Sequence, residues 1–322
     1  MIAPTSVCWN WVDELARFAP SLRPVVYADA ADRAACVAGL GKRDVLIASY
    51  ALVTRDVDVI APTAFATVVL DEAQAVKNPQ TRRARAVRRL TAEFRVALSG
   101  TPLENHLGEL WSLFTAVFPG LLGSWEQFRE RYAAPIEGGH DPDARAALAR
   151  VIRPFLLRRT KAEVARELPA RTEIVVPIAL SAAEHALYQD ARLAAVAELS
   201  DPGGVRDAQR RFQILAALTR LRLIASHPRL GDPASPVTSS KLRRLVELVG
   251  ELRAEGHRAL VFSQFTSHLA LVREELARAG IAIAYLDGAT PAAERKRRIL
   301  AFQAGEGDAF LISLKAGGTG LN

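Results

Sequence analysis

The chain has 322 residues, 50% of them apolar and 24% charged, with a net charge of +7. That is enough apolar material for two packed cores, and it excludes a disordered or fibrous chain. The apolar segments are short and broken by Arg, Asp or Pro, Met1–Pro4 runs straight into polar and aromatic residues, and the only cysteines are Cys8 and Cys36; this argues against a membrane span, a secretory leader, a disulfide framework and a zinc ribbon, and fits a reducing cytosol.

In the first ~115 residues, short apolar runs alternate with amphipathic stretches. Val25–Tyr27, Val45–Ala48, Thr67–Leu70 and Val96–Leu98 read as buried strands, with helices predicted over Trp11–Phe18 and Thr81–Leu90. Such alternation predicts a parallel α/β sheet. From Leu107 to Leu230 the texture is mostly helical. Leu110, Leu113, Phe114 and Val117 fall on one helical face, Ala183–Leu199 and Arg206–Ser226 are longer helices, and Thr172–Leu180 is extended. The Pro- and Ser-rich stretch Gly231–Ser239 reads as a linker. Alternation then resumes: a helix through Leu242, Leu245, Val249 and Leu252, a strand Ala259–Phe262, a helix through Leu269–Leu276, a strand Ile281–Leu286, a helix Pro291–Phe302 and a strand Phe310–Ile312.

The sharpest chemical signal is Val68-Val69-Leu70-Asp71-Glu72-Ala73-Gln74, an apolar strand ending in two adjacent carboxylates. Ligands of open α/β sheets collect at the carboxyl ends of the strands. Asp71 is suited to hold Mg²⁺ through water, and Glu72 to orient and deprotonate an attacking water. An acidic turn that merely begins a helix is the competing reading. A second strand ends about 25 residues later in the small polar turn Ser99-Gly100-Thr101-Pro102.

Taken in order, Asp71–Gln74 with Lys77-Asn78-Pro79, then Leu98–Asn105, then Glu109–Leu113, resemble the Swi/Snf-related ATPases of helicase superfamily two. The resemblance extends to Ile2–Ser6 with Asn10-Trp11 (motif Ia), Phe155–Lys161 (inter-lobe segment), Leu221–Pro228, Val261–Phe265 (motif IV), Tyr285–Thr290 and Leu311–Asn322 (motif V). It implies two RecA-like parallel-sheet lobes, both incomplete, with a helical insertion between them: lobe 1 over 1–118, helices and linker over 119–235, lobe 2 over 236–322. It implies ATP and Mg²⁺ as cofactors and double-stranded DNA, with a DNA-bound protein as a remodelling target, as partners. Ser99, Gly100, Thr101, Gly318 and Gly320 would couple to the ATP site. Gln74 stands where the family usually has His. Being a donor and an acceptor, it could link the carboxylates to the Ser99–Thr101 turn.

Gly39-Leu40-Gly41-Lys42-Arg43 imitates a phosphate-binding P-loop but fails as one. Cys36 stands at the first glycine, Arg43 replaces the metal-binding hydroxyl, and a strand follows where a helix should. The resemblance places the family's P-loop before Met1 and its motif VI arginine after Asn322. This stretch alone is therefore expected not to turn over ATP.

Candidate DNA contacts are Pro4, Thr5, Ser6, Arg158, Arg159, Ser263, Gln264, Lys315, Gly317 and Thr319; small polar groups, backbone amides and cations suit phosphate. Thr5-Ser6 equally suit a helix N-cap, Arg158-Arg159 a solvated helix end, and Arg295–Arg298 a solvated helix face. The scattered histidines have no ligand spacing. The expected function is an ATP-dependent double-stranded DNA translocase, bacterial, working in the cytoplasm on the nucleoid. A strand-separating helicase and a non-catalytic DNA-binding remnant are the alternatives.

Overall fold

A computed structural model describes residues 1–100, 106–139, 141–165, 167–200 and 207–317. It divides into two compact units, at Ala170/Arg171. In the first, five parallel strands run in the order β2-β3-β1-β4-β5: β1 (Ile2–Ala3), β2 (Arg23–Val26), β3 (Asp44–Ser49), β4 (Ala64–Leu70) and β5 (Thr91–Ala97). Alternate strand residues face opposite sides. Ile2, Leu46, Ala48, Val68 and Leu70 bury one face of the sheet with Tyr50, Val53, Ala84 and Val87 from the helices Tyr50–Arg55 and Arg82–Arg89. Ala3 and Ile47 pack with Val7 and Cys8, at the start of the helix Cys8–Phe18.

The central position of β1 decides the site. This two-residue strand pairs with both β3 and β4, Ile2 standing opposite Ala48 and Leu70. Because every strand is parallel, the turns after β1, β3, β4 and β5 all leave the same edge. Gly39–Arg43 leads into β3, with the Gly41 N–H donating to Asp44 Oδ2 at 2.7 Å, and so lies at the opposite, amino edge. That placement agrees with its rejection as a phosphate cradle.

The helix Leu107–Val117 serves two cores rather than the single face its spacing suggests. Leu113 and Ala116 join the sheet core, whereas Leu107, Leu110 and Phe114 join a second cluster with Phe128, Tyr132 and Leu148. A helix lodged between two apolar masses is buried nearly all round. Its polar residues are accordingly paired: Ser112 Oγ donates to Val76 O at 2.8 Å, and buried Glu109 meets Lys77 at 3.2 Å. This second cluster places helices up to Ile152 in the first unit, so packing divides the segment 119–235 that the sequence reads as one insertion.

In the second unit three parallel strands run β6-β8-β7: β6 (Ala259–Ser263), β7 (Ile283–Leu286) and β8 (Ala309–Ser313). Leu242, Val249, Leu269, Val272, Leu276 and Leu311 fill one core. Leu286, Phe310 and Ile312 pack against Ile299 and Phe302 of the helix Ala292–Gln303. Pro291 occupies the N-cap of that helix, not its first turn. Thr172–Leu180 carries no strand. One carboxylate orders two helix starts. Buried Glu184 accepts from the Ser181 N–H (2.8 Å), closing the start of the helix Ala182–Ser200, and from the Ser240 N–H (2.8 Å) and Oγ (2.5 Å), closing the start of the helix Ser240–Ala254. Each N–H would otherwise be an orphan donor of a first helical turn.

Candidate functional site

Asp71 and Glu72 leave the carboxyl end of β4, flanked by the turns after β1 and β5. The Asp71 N–H donates to Ile2 O at 2.8 Å, so the backbone is still held by the sheet as it turns. At Asp71 Oδ2 the Trp11 indole Nε1–H donates at 2.8 Å; Oδ1 accepts the Glu72 N–H at 2.9 Å; and the Tyr50 hydroxyl donates to the Asp71 carbonyl at 2.8 Å. Burial and the neighbouring Asp71 charge push the Tyr50 phenol up, so it stays a neutral donor.

Glu72 has φ 49° and ψ 52°, and it alone among the described non-glycine residues has positive φ. A left-handed non-glycine residue costs about 1–2 kcal/mol. It is held by its neighbours: the Ala73 N–H donates to Leu98 O at 2.9 Å and Leu98 N–H to Leu70 O at 2.8 Å, locking the two strand ends together. The turn swings the Glu72 side chain towards Gln74, whose Nε2 donates to Glu72 Oε2 at 2.5 Å. Gln74 Oε1 accepts from Ser99 Oγ at 2.8 Å. Glu72, Gln74 and Ser99 thus form one hydrogen-bonded chain across β4 and β5. This turn leads into the short 3₁₀ helix Ala73–Val76.

Ser99 and Gly100 also border a cavity of about 460 Å³ within the first unit. Its floor includes Leu110, Leu113 and Phe114, and its rim carries Arg158, Arg159 and Thr160. The arginines are exposed and lie on non-helical backbone between the 3₁₀ turn Arg153–Phe155 and the helix Lys161–Val164. The solvated helix end is corrected accordingly: Pro154 lacks the N–H that continued helix needs. Pro4, Thr5 and Ser6 form the turn after β1. The N-cap of the helix Cys8–Phe18 is Val7, which has no side-chain oxygen, so the capping role read for Thr5-Ser6 is not theirs.

In the second unit Ser263 ends β6 and Gln264 follows it, and Lys315 and Gly317 follow β8, its sheet neighbour; Ser263 stands opposite Ser313. Gln264 Oε1 accepts from Arg222 at 2.7 Å, and Lys315 is exposed. The helix Ala292–Gln303 divides the Arg295–Arg298 run: Lys296 and Arg297 are exposed, as a solvated face would have them, whereas Arg295 and Arg298 turn inward. Arg295 donates to Ala316 O at 2.9 Å, bracing the segment after β8, and Arg298 to Tyr285 O at 2.5 Å, bracing β7 itself. Thr101, Gly318, Thr319 and Gly320 lie outside the described residues.

Trp11 and Tyr50 touch Asp71 but escape a sequence reading of site residues. Trp11 was visible as part of Asn10-Trp11, yet its partner lies 60 residues away. Tyr50 directly follows β3, and position at a strand's carboxyl end is the signal that could have marked it.

Residues 1–230 match the SNF2-related domain and residues 240–322 the helicase conserved C-terminal domain. The chain belongs to the SNF2-related family. It is 38% identical over 332 residues to YwqA of Bacillus subtilis, all of this chain aligning with 36% of that protein. It is 32% identical over 339 residues to the human SWI/SNF-related matrix-associated actin-dependent regulator of chromatin subfamily A member 1, again over all of this chain and 32% of the relative. It thus spans about a third of the length of these curated relatives. A solved Sulfolobus solfataricus SWI2/SNF2 ATPase core in complex with dsDNA aligns with 97% of this chain and 66% of that one, at 33% identity and a TM-score of 0.48.

An SNF2-related ATPase implies ATP and Mg²⁺, and the donor set suits that metal. Asp71 and Glu72 offer hard carboxylate oxygens, and Mg²⁺ binds through one or two carboxylates while keeping several waters. Each Asp71 oxygen already accepts one protein donor and keeps a second acceptor direction for such a water. Among the described residues no cluster of three or more His, Cys, Asp or Glu forms the denser cage of another metal.

Proposed function

We propose that this chain is the motor of an ATP-dependent translocase on double-stranded DNA. The observation that carries the reading is the Glu72–Gln74–Ser99 chain beside Asp71, at the carboxyl edge of β4 and β5 within an SNF2-related domain. Bound Mg²⁺ would neutralise charge developing on the transferred phosphoryl group. Asp71 holds the water shell of that metal. Glu72 orients the attacking water and takes its proton. Gln74 reports the state of Glu72 to the Ser99–Thr101 turn, a connection that lets hydrolysis bias the conformation of the lobe.

On the DNA side, Pro4-Thr5-Ser6, Arg158-Arg159, Ser263-Gln264 and Lys315–Thr319 contact the phosphate backbone; the net charge of +7 favours a polyanion. Gly318 and Gly320 are assigned, by the family's motif V, to coupling with the ATP site. Names among the relatives support both halves: YwqA is by name a candidate ATP-dependent helicase/translocase, and another relative is a chromodomain-helicase-DNA-binding protein 1-like. On this reading a DNA-bound protein is the remodelling target and the bacterial nucleoid the place of work; that YwqA is a Bacillus protein supports the second. No helix among the described residues is long and apolar enough to cross a membrane.

The deciding experiment measures ATP hydrolysis by the full-length protein with and without duplex DNA, followed by displacement of a third strand from a triplex. Duplex-stimulated hydrolysis with triplex displacement is expected. Absence of stimulation overturns the reading, and unwinding of a forked duplex would show a strand-separating helicase instead.

A further inference from the structure

We infer that Trp11 is a positioning residue for Asp71, tying the Pro4–Ser6 turn to the metal carboxylate. The inference rests on the reading of Asp71 as the carboxylate that holds Mg²⁺. Its basis is the 2.8 Å hydrogen bond from the Trp11 indole to Asp71 Oδ2, made while Oδ1 is held by the Glu72 N–H. With both oxygens engaged, the plane of the carboxylate is fixed. The choice of donor is chemically apt. An Arg or Lys here would neutralise Asp71 and compete with a cation, whereas an indole N–H aims the carboxylate and leaves its charge in place.

Trp11 is well placed to carry information. It sits one turn into the helix Cys8–Phe18 and packs with Ala3, Val7, Cys8 and Ile47. The start of that helix is fastened to the turn after β1: the Val7 N–H donates to Pro4 O at 3.0 Å and Cys8 Sγ to the same carbonyl at 3.5 Å. A phosphate taken up by Thr5, Ser6 or their backbone therefore pulls on the first turn of the helix, and through it on the indole. Tyr50 also holds Asp71, but by the backbone carbonyl and from the turn after β3. The carboxylate itself is oriented by the helix that begins beside the candidate DNA contact. Engagement of DNA at Pro4–Ser6 is thus felt at Asp71 as a better or worse aim of Oδ2.

The test uses the full-length protein with Trp11 replaced by 3-benzothienylalanine, which keeps the ring shape and lacks the N–H, and Trp11→Phe as a second variant. Mn²⁺ binding in the presence of a non-hydrolysable ATP analogue is read by electron paramagnetic resonance. ATP hydrolysis is read against Mg²⁺ concentration, with and without duplex DNA. Loss of an outer partner of a direct metal ligand costs at least about 10-fold in affinity; Asp71 reaches the metal through water, so both variants should bind Mn²⁺ more weakly by up to about 10-fold. They should need correspondingly more Mg²⁺, respond less to DNA, and keep most of kcat at saturating Mg²⁺. Asp71→Asn separates the two ideas. If it leaves Mn²⁺ binding intact, the reading of Asp71 fails. If it abolishes binding while both Trp11 variants match the wild type, the role of Trp11 is overturned. Should neither Trp11 variant fold, the Trp11 indole N–H resonance of the wild-type protein decides: it must shift on adding the Mg²⁺–nucleotide complex and again on adding duplex, and an unmoved resonance overturns the inference.

Discussion

The Ser99 hydroxyl donates to Gln74 Oε1 at 2.8 Å, and the same amide donates from Nε2 to Glu72 Oε2 at 2.5 Å. A single side chain therefore spans the ends of two strands, its acceptor on one and its donor on the other. Loss of a general base lowers a rate by roughly 10²–10⁴-fold, so Glu72→Gln should reduce steady-state hydrolysis by that much while leaving nucleotide binding in place. Gln74→Ala keeps the base but removes the link. It should lower DNA-stimulated hydrolysis by about 10-fold, the equivalent of one hydrogen bond to a charged group, with a smaller effect on the unstimulated rate. Gln74→His, which retains a donor and an acceptor, should restore much of the coupling.

Lys315 is exposed beside the end of β8, and Arg158 is exposed on the rim of the Ser99 cavity. If each meets a phosphate, alanine at either position weakens binding equally for all DNA sequences and reduces the steepness of the salt dependence by about 1. Fluorescence anisotropy over a series of salt concentrations measures both. An unchanged slope would remove that residue from the DNA surface.

Glu184 joins the starts of two helices in the second unit. Burial pushes its carboxyl up, but the donors from Ser240 and Ser181 outweigh burial and hold it below the usual carboxylate range. Glu184→Ala strands the Ser181 and Ser240 amides and should cost about 2–3 kcal/mol in urea unfolding. The pH dependence follows from the direction of the shift. As pH falls, the unfolded chain takes up the proton first, so the stabilisation is present above the ordinary Glu value and is lost as pH falls through the folded value. The gap between wild type and Glu184→Ala should close in acid.

His268 shows the corresponding behaviour for a base. Burial, with the charges of His227 and Lys241 adding to it, lowers its pKa to about 4, and Nε2 has no hydrogen-bond partner among the described residues. Between the ordinary value of 6.5 and about 4 the unfolded chain binds more protons than the folded one. Stability is lost as pH falls through that window. His268→Phe, which fills the same space without a titrating group, should flatten the melting temperature against pH there. An equally steep profile in the variant would assign the acid sensitivity elsewhere.

Much of the architecture was legible because it is written in local periodicity. The run Thr67–Leu70 before Asp71-Glu72 reads as a strand, and it is the carboxyl half of β4. The helices over Arg82–Arg89, Ser240–Ala254 and Thr266–Arg278 are likewise announced by their apolar spacing. The grouping of the helices between the sheets was not legible. Leu110 and Leu113 lie three residues apart on one apparent face, yet they enter different cores. Spacing says that a residue is buried, not what buries it. Arg295 and Arg298 show the same limit: a basic run on a helix is usually solvated, and only neighbouring elements, β7 and the helix Leu314–Gly317, supply the Tyr285 and Ala316 carbonyls that hold them.

By itself, the sequence determined the family, the two parallel sheets, and the adjacency of Asp71, Glu72 and Gln74. These follow from residues near one another along the chain, whose identity and order carry the chemistry. Tertiary structure alone decided how that chemistry is aimed. The left-handed turn at Glu72 and the bridge to Ser99 25 residues on depend on β4 pairing with β5, and the Trp11 and Tyr50 donors reach Asp71 across 60 and 21 residues because β1 lies between β3 and β4. No periodicity encodes that juxtaposition. It is produced by backbone pairing in a sheet, where distance in space is set by strand order and not by distance in sequence.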